Sequence, residues 1–490
     1  MAIPAPKLKS LLCALPLLAM AAQAQESKLV FDDFEPRLNV DFGQVVRGQV
    51  DNNALNHLAV NRNIVILDQT ASYGEAMDFK AGFLGILWWP MSVTANSPEQ
   101  RTMRVEPRLS VAKARWNFGT AAGAAGGRGA MDALDDKAGK TPFYLDLGYF
   151  PYKYNRDAHD LGEYLYRSGT YPGVLYTSNG FQLLDHAAYD AYGAHAHYSQ
   201  GNGMVTHDLN FFVEPTVIPT GDITPAYEVS LNLPVLRMGL GAAYNRMISF
   251  APSQTRPKQP SNSFVEVDSA ATGAVAYIGP YDGASSAIKN AISNNTTTTF
   301  NYKVLDRWTQ RGVKLMGRAA LDLGFLIPEG SRGPQDLRIF SEVALLGVEN
   351  QPFYYENRLQ RMPVMAGVNI PTFRLLDLLS FQTEYYGARF SNIRRLTENS
   401  LPIWLPTEWE LQQPDFNTIP YADYKPGNYR RDDWKWSVYA ERKLGRMFKV
   451  QGLVANDHLR LPRFDYSQTP YTLTQNPKHW YFLLGLECGL

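Results

Sequence analysis

Four of the eight histidines fall in one short stretch: His186, His195, His197 and His207. His195 and His197 stand two apart, which puts both on one face of a strand. If a turn centred on Gly201 folds the chain back, antiparallel pairing sets His195 opposite His207. Three imidazoles across a hairpin are candidates for zinc or copper; the favoured reading is interfacial histidines at a sheet rim, and no metal site is assigned. The second recurring chemistry is charge at alternate positions. Arg104, Glu106 and Arg108 share one face, as do Lys314, Arg318 and Asp322; Lys435, Glu441 and Lys443 form a third set and Arg338 with Glu342 a fourth. Such a face either orients solutes through its field or satisfies itself by cross-strand ion pairs. The balance of signs favours pairing.

Signals for covalent chemistry are weak. Gly139-Lys140-Thr141 has the ending of a phosphate loop, but Leu134 stands where its first glycine belongs. Neither an HExxH pair nor a G-x-S-x-G elbow occurs. The chain is expected not to be an enzyme and to need no cofactor. Lys plus Arg and Asp plus Glu both total 47, and a nucleic-acid binder would carry a basic excess.

What must position these residues is a set of strands. The N-terminus comes first: Lys7 and Lys9, an apolar core from Leu11 to Ala21, and Ala22-Gln23-Ala24 make a signal peptide over 1–24, cleaved before Gln25. Residues 25–490 are then one domain. Cleavage removes Cys13 and leaves Cys488 alone, so no internal disulfide forms. Beyond this point no apolar run is long enough for a membrane helix. The dominant period is two: Trp434, Trp436, Val438 and Ala440 alternate with Lys435, Ser437, Tyr439 and Glu441, and Trp480 to Leu490 alternates the same way.

Strands are expected at 37–47, 56–68, 75–89, 103–118, 142–154, 183–198, 203–213, 225–233, 235–248, 313–325, 336–348, 363–370, 378–390, 434–443, 446–456 and 479–490. Their length suits a tilted crossing, and short connections alternate with long ones. Such strands cross a membrane only as a closed barrel, which leaves no backbone group unsatisfied in lipid. The fold class is an all-β antiparallel transmembrane barrel of about 16 strands (range about 14 to 18), with short periplasmic turns and long external loops. Gly119 to Thr141 misfits, being long on the short-turn side, and 161–181 has room for a further pair. Ser285 to Thr299, rich in Asn, Thr and Ser, reads as flexible loop. The segment from Arg156 to Tyr171, with Leu161, Tyr164 and Leu165 at near-helical spacing, is either an inward constriction or a loop on the rim. The loop from Ser391 to Arg430 carries Trp404, Trp409, Tyr421 and Tyr424, suited to stacking or to its own packing.

Signal peptide, alternating strands, aromatic-rich strand ends and an apolar-alternating last strand together resemble Gram-negative outer-membrane porins over nearly the whole mature chain. The last residue, Leu490, departs from the aromatic that usually ends the class. Leu145 to Asn155 also resembles a strand of the phosphate-selective porins, in which a nearby loop folds inward and narrows the channel. The resemblance implies an outer-membrane channel for small hydrophilic solutes, with membrane lipid and the barrel-assembly machinery as partners; an oligomer is compatible with it. The alternative is a structural or adhesive surface protein with a plugged barrel. Candidate channel-lining residues are Lys80, Arg104, Arg108, Lys153, Arg156, Arg167, Lys314, Arg318, Asp322 and Glu384.

Overall fold

The computed structural model describes residues 29–50, 53–54, 56–74, 76–91, 102–118, 142–167, 189–201, 203–213, 223–248, 264–270, 275–280, 285–294, 300–305, 312–348, 358–386, 395–396, 402–403, 434–445, 447–456, 460–461, 471–472 and 478–489. The expected signal peptide over 1–24, Gly119 to Thr141, His186, Trp404, Trp409, Tyr421 and Tyr424 lie outside them.

Sixteen antiparallel strands close into one barrel. They are β1 (Leu29–Arg47), β2 (Leu58–Tyr73), β3 (Met77–Met91), β4 (Thr102–Phe118), β5 (Phe143–Tyr152), β6 (Tyr189–Gln200), β7 (Val205–Val213) and β8 (Ile223–Asn232). There follow β9 (Leu236–Asn245), β10 (Gly312–Asp322), β11 (Arg338–Leu345), β12 (Val364–Asn369), β13 (Leu378–Tyr385), β14 (Trp434–Leu444), β15 (Phe448–Ala455) and β16 (Trp480–Gly489). Each strand pairs with its neighbours in sequence, and β1 pairs with β16, Asp41 opposite Gly485, to close the ring. Every expected strand has its counterpart; β1 begins eight residues before the expected start at 37, and residues 183–188 and 387–390 of the expected strands lie outside the described residues.

Burial is inverted relative to a water-soluble core. On β16, Leu484 is 55% exposed while Leu483 is 1% exposed and Gly485 is buried. On β14, Trp434 points outward and Lys435 and Ser437 inward, both buried. The outward set includes Phe42, Val65, Phe83, Leu109, Leu209, Leu240, Leu315, Ile339 and Val450; the buried inward set includes Asp41, Arg62, Lys80, Asn210, Glu228, Lys314, Glu342, Gln382 and Glu384. An apolar outer surface on a ring with no free edge is what hydrocarbon tolerates and water does not. Aromatic pairs sit near both rims: Tyr385 with Trp434 at the long-loop end, 4.9 Å between ring centroids, and Phe118 with Phe143 at the other, 5.0 Å.

The short connections, 74–76, 201–204, 233–235, 370–377 and 445–447, gather at one end, together with a longer one over 323–337. Two local features escape the alternation rule. On β4 a register shift opposite Gly82 and Phe83 inserts one extra residue. Leu109 therefore faces out, while Ser110 and Val111 both turn inward, Ser110 bonding Asp68 at 2.8 Å. Such a bulge changes which parity faces the interior. The second is a correction: the supposed flexible stretch Ser285 to Thr299 contains a helix, Ser286–Ser293. Ala287, Ile288, Ala291 and Ile292 give it a helical apolar spacing that the surrounding Asn and Thr residues mask. Ser285 starts it, its hydroxyl accepting from the N–H of Ile288 at 3.4 Å. The same insertion holds a three-stranded sheet, Phe264–Ser269, Val275–Pro280 and Phe300–Leu305. No helix among the described residues is long and apolar enough to cross a membrane, which says nothing about a barrel.

Candidate functional site: a segment folded into the barrel

After Tyr152 the chain does not continue outward. Residues 153–167 turn into the barrel, ending in one helical turn, Tyr164–Arg167. Leu161, Tyr164 and Leu165, the residues at near-helical spacing, form the apolar side of this segment. They pack with Phe212, Met316, Phe340, Met365 and Tyr386 of the wall. Two glycines make room. A Cβ on Gly241 of β9 would meet Leu165 Cδ1 at 2.7 Å. Gly162 has φ +85°, and a Cβ there would lie 2.9 Å from Met365 Cε and 3.0 Å from Glu342 Oε2. Glu163 follows with φ 61°, so the corner is left-handed over two residues, a conformation a non-glycine residue adopts only at a cost.

Polar anchors from the wall hold this corner in place. The Glu342 carboxylate on β11 accepts four hydrogen bonds: Tyr154 Oη at 2.6 Å, Tyr164 N at 2.9 Å, Asn155 Nδ2 at 2.7 Å and Glu163 N at 3.1 Å. Gln382 Oε1 on β13 accepts from three consecutive backbone N–H groups, His159, Asp160 and Leu161, each at 3.2 Å. Glu384 takes a two-pronged bond from Arg167, at 2.6 and 2.8 Å. Lys314 on β10 donates to the Leu165 carbonyl. Asp157 meets Arg237 of β9 at 2.5 Å and Arg338 of β11 at 3.1 Å. His159 stacks on Tyr439 of β14, 5.2 Å between centroids. The buried N–H groups of an irregular segment need acceptors, and the wall supplies them. Inside the corner, the Glu163 carboxyl accepts from Asn155 N at 2.6 Å. Burial, and then the neighbouring Glu342 charge, push its pKa up to about 8. Burial pushes Asp160 up to about 6.

The sequence-derived candidates distribute as follows. Lys153, Arg156 and Arg167 belong to the inward segment, Arg156 exposed and Arg167 buried. Lys314 and Glu384 are its buried anchors. Arg318 donates to Ser230 at 2.7 Å, and Asp322 pairs with Arg338 at 2.7 Å. Lys80 lies between Glu35 and Asp68, 3.6 Å from each. Arg108 is exposed, its backbone opposite Leu84; Arg104 lies opposite Trp88. Charges thus meet mainly across neighbouring strands, as also in Asp41 with Arg62 Nε at 2.7 Å, and Lys449 with Glu487 at 2.8 Å. Gln382, Asp157 and Asn155, absent from the candidate set, matter as anchors; alternation placed Gln382 inward but gave no reason to single it out.

The proposed three-histidine grouping does not form. Gln200 pairs with Val205, which sets His195 opposite Asn210 and His207 opposite Tyr198. His207 consequently lies on the outer face, bonded to Tyr227 Oη at 2.7 Å. The turn is centred between Gly201 and Met204, and that shift in register exchanges faces. Asp208 takes the expected place of His207 beside His195 and His197.

No protein-family model matches the sequence, and no curated protein matches it. Among solved structures, the chain is similar to Pseudomonas putida OprB, with 10% identity over 94% of both chains and a TM-score of 0.44. A mutant of Rh. blastica porin is similar at 7% identity over 94% of this chain and 100% of the other, TM-score 0.39. Vibrio cholerae OmpT, in its trimer form, is similar at 10% identity over 95% and 100%, TM-score 0.37. The barrel is defined by this chain's own strand pairing.

Proposed function

We propose that this chain is a porin-like outer-membrane channel through which small hydrophilic solutes diffuse, narrowed by residues 153–167. On this reading the segment 1–24 directs export and is removed. Residues 25–490 then form one barrel, inserted into the outer membrane of a Gram-negative bacterium by the assembly machinery. The carrying observation is the inward segment, fixed to the wall by Glu342, Gln382 and Glu384 within a barrel whose outside is apolar. A barrel of this strand number leaves an aqueous interior unless something fills it. The chemistry is filtration by width and charge, with no covalent step. Single-channel recording in planar bilayers tests it. The intact chain should conduct, and deleting 157–167 should raise conductance and reduce ion selectivity. Absence of conductance overturns the channel; conductance untouched by the deletion overturns the constriction.

One observation favours the second reading, a barrel that anchors surface loops without a continuous pore. Asp41, Arg62, Tyr481 and Leu483, inward residues away from the segment's anchors, are all no more than 2% exposed. If that half of the interior is filled, the same recordings will be silent for both the intact chain and the deletion.

A further inference from the structure

We propose that the β6–β7 hairpin carries a zinc site on the inner wall, with His195 Nε2, His197 Nδ1 and Asp208 Oδ1 as its ligands. The three atoms lie within 4.8 Å of one another. Asp208 Oδ1 sits between the two rings, 2.9 Å from His195 Nε2 and 2.7 Å from His197 Nδ1. The ladder fixes this geometry. His195 and His197 are two apart on β6, and Asp208 is the direct partner of His197 on β7. Two imidazoles and one carboxylate are a donor set that suits zinc, which leaves its fourth position for water. Tetrahedral bonds of about 2.0–2.1 Å place ligand atoms roughly 3.4 Å apart. Binding therefore asks the Asp208 carboxylate to withdraw slightly and the two rings to close, with no backbone change.

The surroundings are those of a metal-bound histidine. The other ring nitrogen of His195, Nδ1, faces Asp146 Oδ2 at 3.7 Å. The Nε2 proton that faces Asp208 leaves when zinc takes that nitrogen, and the Asp146 carboxylate then keeps the remaining proton on Nδ1, the outer arrangement that orients ligating histidines. Asp146 is itself held by Arg115 at 2.7 and 2.9 Å. Tyr144 stacks on His197 at 4.8 Å, and Tyr152 meets His195 edge-on at 4.9 Å, so neither ring is loose. Glu228, opposite Asp208 on β8, adds a further inward carboxylate. The site is not sealed: the side chains of His197 and Asp208 keep 15% and 18% exposure, against 7% for His195.

The test is zinc titration, by calorimetry and equilibrium dialysis, of the full chain folded in detergent micelles and purified without a polyhistidine tag. The intact protein and His207→Gln, whose ring lies on the outer face, should each bind one zinc ion per chain with proton release. His197→Gln and Asp208→Asn should weaken binding at least about tenfold. Both variants keep a hydrogen-bonding side chain, and a β-type circular-dichroism spectrum with heat-modifiable migration verifies that each folds. X-ray absorption of the loaded protein should show two imidazole shells. Failure of the folded intact protein to bind at micromolar zinc overturns the site. So does binding that His197→Gln and Asp208→Asn leave unchanged, or that His207→Gln abolishes.

Discussion

The two halves of the inner wall use buried polar groups differently. From β7 to β13 they reach across the interior to residues 153–167: Asn210 to Tyr166, Arg237 to Asp157, Glu342 to four donors, Gln382 to three. On β15, β16 and β1 to β3 the pairs described reach to the next strand or the one beyond it, as in Lys80 with Glu35 and Ser110 with Asp68, and not to the segment. Asp41 faces Arg62 directly across the β1–β2 ladder, Asp68 takes Arg37 and Lys80, and Lys449 takes Glu487. Between these pairs lies an apolar lining of Val45, Val60, Ile64, Leu453, Tyr481 and Leu483. The first half has its charges satisfied by a partner far away in sequence; the second satisfies its own. Strand pairing alone thus accounts for the second half, while the first is complete only when the segment is seated.

The largest effect should follow from Glu342→Ala. Four donors lose their acceptor at once, and each one left buried without a partner costs about 1–3 kcal/mol. The segment should leave the wall, seen as protease cleavage within 153–167 and, in bilayers, as a rise in conductance. Glu342→Gln, which retains an acceptor, should fall between. A segment as resistant in Glu342→Ala as in the intact chain would show that the apolar packing of Leu161 and Leu165, with the Gln382 and Glu384 anchors, is sufficient without Glu342.

Arg62→Met tests the other half. It leaves Asp41 buried and unpaired, at a cost of about 3–5 kcal/mol, whereas replacing both partners with Asp41→Leu and Arg62→Met should recover most of the loss. Urea unfolding measures this. Protease sensitivity of 153–167 should not change. Release of the segment by Arg62→Met would mean that the halves are coupled and the contrast between them fails.

A smaller and more local effect is expected on the outer face. Leu484→Arg puts a charge on the apolar exterior and should cost about 2–4 kcal/mol near the bilayer midplane. The same change at inward Gly485 should be milder wherever the added side chain fits. Equal losses at the two positions in folding titrations would contradict the register of β16 against β1.

These contrasts also separate what the residues announce from what they do not. All sixteen strands were readable, because alternation over ten or so residues is a strong local signal and the strand ends carry glycine, proline or long polar loops. The nearest-neighbour pairs were nearly readable, needing only register. Register itself failed at β6–β7, where a turn centred on Gly201 is as plausible from composition as the observed one, and His207 changed faces. At Ser110 an inserted residue broke a parity that nothing in Leu109-Ser110-Val111 marks. The anchoring of Tyr154, Asn155 and Gly162 by Glu342 and Glu384 joins residues nearly two hundred or more positions apart, and no local pattern encodes such a contact. What did show in the sequence was the segment's own apolar spacing, Leu161, Tyr164 and Leu165, which indicates a buried face without saying where it is buried.

The smallest effect expected is a dependence of the seated segment on pH. Glu163 lies in the left-handed corner, accepts from Asn155 N, and has the Glu342 carboxylate and Lys153 as charged neighbours. Burial first, and Glu342 second, raise its pKa from the ordinary 4.5 to about 8. The seated form therefore binds a proton more tightly than the released form. Its stabilisation is fully present below about 4.5 and is lost as pH rises through about 8. Asp160, raised to about 6 by burial, acts in the same direction over a lower range. Cleavage within 153–167 should increase, and single-channel current should become noisier, as pH is raised from 5 to 9 (about two units either side of neutrality, spanning both groups). Glu163→Gln, which mimics the protonated carboxyl, should flatten the upper part of that profile and hold the segment seated at alkaline pH. If Glu163→Gln instead loosens the segment at every pH, the Glu163 carboxylate works in its charged form as an acceptor for Asn155. The contrast between the two halves would then rest on an ionised Glu163 facing Glu342, with Lys153 supplying the compensation.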